Sequence, residues 1–217
     1  MEAFSNRTNS DENRYLELIL QGNRVAASNL IRDLAAKGIP IQDIYEHTIK
    51  VALYRVGELW ESNQVTVAEE HIATSVTESI MNELFYDIVS RQRQARKVVL
   101  GCVETEFHQV GVKMVADLFE MKGWDTYFPG SNVPANEMIR YIDKQNPDMV
   151  ALSVSIYSHI PLLAKTLRLI RQKSELPVII GGQAFRYGGK EVAERYPNTR
   201  YIANLTELEA FIDQHQS

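Results

Sequence analysis

Apolar residues recur at helical spacing from about Glu12 to Arg91, with few glycines or prolines among them. Residues 13–21 carry Tyr15, Leu16, Leu18 and Ile19 and stop at Gly22. Residues 24–37 bring Ala26, Leu30, Ile31 and Leu34 together and end at Gly38, a residue type suited to closing a helix. Pro40 opens a longer helix through Ile41, Ile44, Ile49, Leu53, Val56 and Leu59 to Trp60. Thr66 or a neighbour starts the last, through Ile72, Val76, Ile80, Leu84 and Ile88. Four helices with short connections predict a bundle.

The period changes after Lys97. Short extended runs are expected over 98–103, 126–128, 149–154, 177–180 and 201–202, alternating with helical stretches over 110–121, 134–144, 162–172, 190–195 and 207–213. That alternation predicts βαβ units and a Rossmann-like, flavodoxin-like domain with a five-stranded parallel sheet. The expected division is a helical bundle over 1–92, a linker over 93–97 and an α/β domain over 98–217. Such sheets take ligands at the carboxyl ends of their strands, so the loops after Val103, Val154 and Ile180 are where chemistry belongs.

Composition narrows the choice. The chain has 217 residues, 45% apolar and 24% charged, ordinary for globular domains. No apolar run approaches the ~20 residues that span a bilayer. Residues 1–13 are polar and mixed in charge, unlike a signal peptide or an anchor. The single cysteine, Cys102, lies in an apolar run, which excludes an internal disulfide and fits a reducing compartment, hence the cytoplasm. A net charge of −5 argues against nucleic-acid binding, and the one basic cluster, residues 91–97, reads as the exposed linker.

The loop after the first strand reads Glu104-Thr105-Glu106-Phe107-His108-Gln109-Val110-Gly111. An imidazole with a carboxylate two residues before it suits a transition metal, because a carboxylate on the ring's other nitrogen raises its basicity. Gly111 would admit a bulky planar ligand close to the helix start. A lone loop histidine is equally at home as a surface or packing residue. Ser153-Val154-Ser155 and Gly181-Gly182 follow the third and fourth strands and, taken singly, are ordinary turn chemistry.

Together, E-x-H-x-x-G, Ser153 and Gly181-Gly182 resemble the cobalamin-binding domains of the methionine synthase and methylmalonyl-CoA mutase type. The resemblance implies cobalamin as cofactor, His108 as the lower axial cobalt ligand, and Glu106, Gly111, Ser153, Ser155, Gly181 and Gly182 around it. Glu106 stands where Asp is commoner, and Ser155 where the family has Leu. The helical half resembles the cap that covers the upper corrin face. Trp60, nine residues, then Glu70-His71 is similar to the signature of light-sensing CarH-type proteins and their AerR relatives. In that resemblance Trp60 packs over an adenosyl group, Glu70 contacts it, and His71 ligates cobalt once light breaks the cobalt–carbon bond. Read without it, Trp60 is bundle core and Glu70-His71 a solvated helix face.

Three functions follow. The first is an adenosylcobalamin photoreceptor that regulates transcription through a separate protein partner, since no DNA-binding module is seen in the chain. The second is a corrinoid carrier for a methyltransferase, with methylcobalamin. The third is a haem or tetrapyrrole sensor on the same scaffold. None makes the chain an enzyme by itself, and a homo-oligomer is compatible with each.

Overall fold

The computed structural model describes residues 2–215. The chain folds as two compact units, 1–88 and 89–217.

The first unit is helical: α1 (Glu2–Leu20), α2 (Arg24–Ala36), α3 (41–61) and α4 (Val67–Ile88). α1 begins well before the apolar pattern does. α2 is capped by Asn23, whose Oδ1 accepts from the Ala26 N–H at 3.2 Å. α4 starts with a capping box: the Thr66 hydroxyl accepts from Glu69 N–H, and the Glu69 carboxylate accepts from Thr66 N–H. α3 contains a π-helical stretch, Tyr45–Ile49, where the Lys50 N–H bonds the Tyr45 carbonyl. The extra residue in that turn places Tyr45, Glu46, Thr48 and Ile49 all in buried positions. Glu46 tolerates burial through its ion pair with Lys50. Tyr15, Ile19, Ile31, Ile49, Val56 and Ile80 fill the interior, and the buried Tyr15 hydroxyl donates to Thr77 Oγ1 at 3.1 Å.

The second unit is α/β. Strands β1 (Lys97–Cys102), β2 (Asp125–Tyr127), β3 (Met149–Ser153), β4 (Val178–Gly181) and β5 (Thr199–Tyr201) alternate with α5 (Val110–Met121), α6 (Ala135–Gln145), α7 (Ile160–Arg171) and α8 (Leu205–Gln214). The stretch expected as a helix over 190–195 is a 3₁₀ segment, Lys190–Arg195. The sheet is fully parallel in the order β2-β1-β3-β4-β5, with Cys102 beside Ser153 and Ser153 beside Gly181. Val99, Val150, Leu152, Val178 and Ile180 form a core with Ile139 of α6 and Leu163, Leu167 and Ile170 of α7. β1 and β3 are neighbours although β2 lies between them in sequence, so their following loops meet at a topological switch point.

Residues 89–96 are strapped onto this unit. Arg93 donates to Glu120 at 2.7 Å, to Asp125 at 2.6 Å and to the Trp124 carbonyl at 2.6 Å. The Gln94 N–H bonds the Gly123 carbonyl at 2.8 Å.

Candidate cofactor site

The loop between β1 and α5 is held from below and from the side. Glu106 N–H donates to the Val103 carbonyl at 3.0 Å, closing a tight turn. Thr105 takes a positive φ of 67°, strained for a β-branched residue. Asn132, from the loop after β2, supports it: its Oδ1 accepts from Thr105 N–H at 3.0 Å, and its N–H donates to the Glu106 carbonyl at 2.9 Å.

Glu106 is fully buried at the switch point. Its Oε1 accepts from His108 Nδ1 at 2.5 Å and from His108 N–H at 3.1 Å. Its Oε2 accepts from the backbone N–H groups of Ser155 and Ile156 at 2.9 and 3.1 Å, and from His159 Nδ1 at 3.2 Å. Burial alone would raise its pKa, but the bonds from His108 and Ser155 outweigh burial and bring it down to about 2. Glu106 is therefore ionised at neutral pH and accepts the His108 Nδ1–H of the short contact, an arrangement that in the neutral ring leaves the lone pair on Nε2. The His108 side chain is 57% exposed, so this orienting contact is buried while the ring itself reaches the surface.

The neighbouring loops leave apolar side chains exposed. Phe107 (67% exposed), Ile156, Tyr157 and Tyr187 leave large apolar surfaces open on the loops after β1, β3 and β4, the kind of exposure that marks a binding face. Among the described residues nothing lies within 4 Å of where a Gly111 Cβ would be, so no packing there explains the glycine. Gly182 is different: φ is 120°, and a Cβ would sit 2.1 Å from the Val154 carbonyl oxygen. It locks the turn after β4 against the turn after β3. Ser153 ends β3 as a buried residue, whereas Ser155 contributes its backbone N–H to Glu106. Cys102 is buried core; burial, with Glu106 nearby, pushes its thiol up to about 12, so it is no nucleophile.

His159 stands at a helix start, the role its place in the sequence suggests, at the end of the 3₁₀ turn Tyr157–His159; it also bonds Glu106. Asn132 gives no sequence signal beyond being an asparagine in a loop. Both reach the site through strand order rather than sequence proximity.

In the helical unit Trp60 lies in the last turn of α3 and Glu70 and His71 in the first turns of α4, joined by the turn 62–66. Trp60 is 47% exposed and therefore not bundle core. Val67 and Ile72, in the first turns of α4, are exposed as well. Glu70 is partly buried, accepting from the Thr74 hydroxyl at 3.0 Å, and its other oxygen lies 3.4 Å from Nε2 of the exposed His71.

The flavodoxin-like sheet thus carries at its switch point an imidazole oriented by a buried carboxylate, with an open glycine beside it and exposed apolar side chains on the loops around it. Two family models, each described as a B12 binding domain, match residues 96–206 and 11–84. The chain belongs to this family of cobalamin-binding proteins, and cobalamin is its cofactor. Over 159 residues it is 29% identical to the HTH-type transcriptional repressor CarH of Myxococcus xanthus, covering 72% of this chain and 52% of the repressor. The chain thus spans about half the length of that relative. It is 20% identical to dimethylamine corrinoid protein 3 of Methanosarcina acetivorans, over 66% of this chain and 70% of that one. The Methanosarcina barkeri monomethylamine corrinoid protein has the same fold, with a TM-score of 0.78 at 14% identity over 95% of this chain and 99% of that one.

Proposed function

We propose that the chain is a light-responsive cytoplasmic regulator that works through adenosylcobalamin and signals to a separate protein. In this reading Nε2 of His108 is the lower cobalt ligand, oriented by Glu106. Gly111, Ser153, Ser155, Gly181 and Gly182 accommodate the corrin and its nucleotide tail. Trp60 and Glu70 meet the adenosyl group, and His71 is the upper nitrogen donor after that group is lost. When bound, the cofactor supplies a cobalt–carbon bond that visible light breaks; the protein excludes water from it and offers the replacement ligand.

The exposed indole of Trp60 carries the preference for a bulky upper ligand. A tryptophan that a bundle could bury is instead left open at a helix end, next to a partly buried carboxylate and an exposed imidazole. A second reading, a corrinoid carrier for methyl transfer, is favoured by the similarity to the Methanosarcina corrinoid protein. No helix among the described residues is long and apolar enough to cross a membrane.

The test loads wild-type and His71→Ala chains with adenosylcobalamin and records absorption and size-exclusion profiles in the dark and after visible light. The regulator reading expects the illuminated wild type to settle at a bis-imidazole spectrum that His71→Ala does not reach, with a light-dependent change in elution. Identical illuminated spectra would remove His71 as a ligand. Elution indifferent to light, with methylcobalamin bound as well as the adenosyl form, would establish the carrier.

A further inference from the structure

We propose that the groove between α7 and the 3₁₀ segment Lys190–Arg195 docks a short acidic segment of a partner protein. An apolar side chain of that segment sits on the groove floor, and its carboxylates meet Arg168 and Arg195. The inference rests on the reading that the chain signals to a separate protein, and gives that signal a surface. The groove holds about 300 Å³. Ile160, Ala164, Val192 and Tyr196 line it and pack into or against the core of the α/β unit, so its floor is apolar and preformed. Arg168 stands on one wall and Arg195 on the other. Both are exposed, and neither has an ion-pair partner among the described residues. Lys165 lines the groove as well, but its ammonium is taken by Glu104 at 2.8 Å. Glu191 is the acid among the lining residues and does not offset both arginines.

Charge decides the occupant. The whole chain carries −5 at pH 7, so an acidic partner is repelled by the molecule at large and attracted at this groove. Repulsion elsewhere and attraction at one place fix where the partner sits. A site for a small free anion would aim buried donors at it. Here exposed cations rim an apolar floor, the layout of a protein interface.

The groove is also joined to the loops around His108. Lys165 reaches from it to Glu104, in the loop between β1 and α5 that carries His108. Ile160 packs against the backbone of Gly189, where a Cβ would lie 3.3 Å from it, and Tyr157 against Gly188, where the distance would be 3.7 Å. Displacement of the ligand loop, or of the loop after β3, is thereby passed to residues of the groove.

The test pans a random peptide library displayed on phage against the full chain loaded with adenosylcobalamin in the dark. The Arg168→Glu/Arg195→Glu chain, loaded alike, serves for counter-selection. Expected are peptides that place a large apolar residue beside paired carboxylates. As synthetic peptides they should bind the wild type, weaken with salt, and lose roughly tenfold or more in affinity on the double variant. An unchanged cobalamin spectrum shows the double variant to be folded; otherwise Arg168→Gln and Arg195→Gln are compared singly, each expected to weaken binding. Selected peptides without acidic residues, or binding alike to wild type and variants, overturn the proposal. So does displacement by inorganic phosphate at constant ionic strength, which would reduce the groove to an anion site. A changed elution of the double variant without peptide would give the groove to a second copy, and overturns it too. Illumination separates the two layers. Groove-dependent peptides held equally in dark and light uphold the docking site and contradict the regulator reading. Light-dependent spectra and elution without any groove-dependent peptide uphold that reading and overturn the site. A light-dependent affinity that Glu104→Gln abolishes supports both.

Discussion

Glu106 is the residue on which the site turns, because a buried carboxylate is tolerated only when its oxygens are filled by donors. Its folded-state pKa of about 2 lies below the ordinary 4.5, so its stabilising contribution is complete above about pH 4.5 and is lost as pH falls through 2. Glu106→Gln cannot titrate and turns an NH₂ towards at least one set of N–H donors. Denaturant unfolding of the apoprotein is expected to show the variant less stable by about 2 kcal/mol at pH 7, with the gap narrowing between pH 4.5 and 2. Other carboxylates with lowered pKa, such as Glu83 and Glu104, affect both proteins alike, so the difference isolates this group. A gap that is constant with pH would show that Glu106 is not the titrating residue. The Glu106–His108 pair could be read from its two-residue spacing; His159, 53 residues further on, could not. Only the adjacency of β1 and β3 brings its ring to the carboxylate.

β1, β3 and β4 turn that adjacency into a rigid floor, and the tightest point is Gly182. Gly182→Ala would place a methyl 2.1 Å from the Val154 carbonyl oxygen in a backbone conformation that alanine resists. The backbone cannot yield without moving Ser155 off Glu106. We expect a loss of about 3 kcal/mol or more in unfolding free energy, with weakened cobalamin binding, both measurable by titration. An unperturbed variant would mean that the two turns are not locked together. Strand and helix order in this half followed directly from the alternation of apolar runs, since buried parallel strands are short and continuous while helices repeat every three to four residues. The helical half hid more. The π-helical stretch Tyr45–Ile49 adds a residue to a turn without any special residue type to announce it. The first helix extends to Glu2 through a stretch in which apolar residues do not recur at helical spacing. In the same half, Trp60 sits in the helical pattern of α3, and its exposure emerges only when the turn 62–66 is built.

Taken whole, the chain joins two units, and a B12-binding family model matches each of them. The α/β unit holds one exposed imidazole on a buried carboxylate, and the helical unit presents an indole, a carboxylate and an imidazole at one helix junction. Purpose divides along the same line. Cobalamin binding follows from the family, whereas sensing rests on Trp60, Glu70 and His71. Because everything proposed for the helical unit presupposes a cofactor held through His108, the identity of the lower nitrogen is what most needs measuring. Electron paramagnetic resonance of the cob(II)alamin-loaded chain does this directly when the protein is produced with ¹⁵N-histidine and the cofactor keeps ¹⁴N. Ligation by His108 predicts that each cobalt line is split into two by a spin-½ nitrogen, and that His108→Ala abolishes this splitting. Three-fold splitting in the labelled wild type would mean that the cofactor's own base remains on cobalt, and would contradict the account.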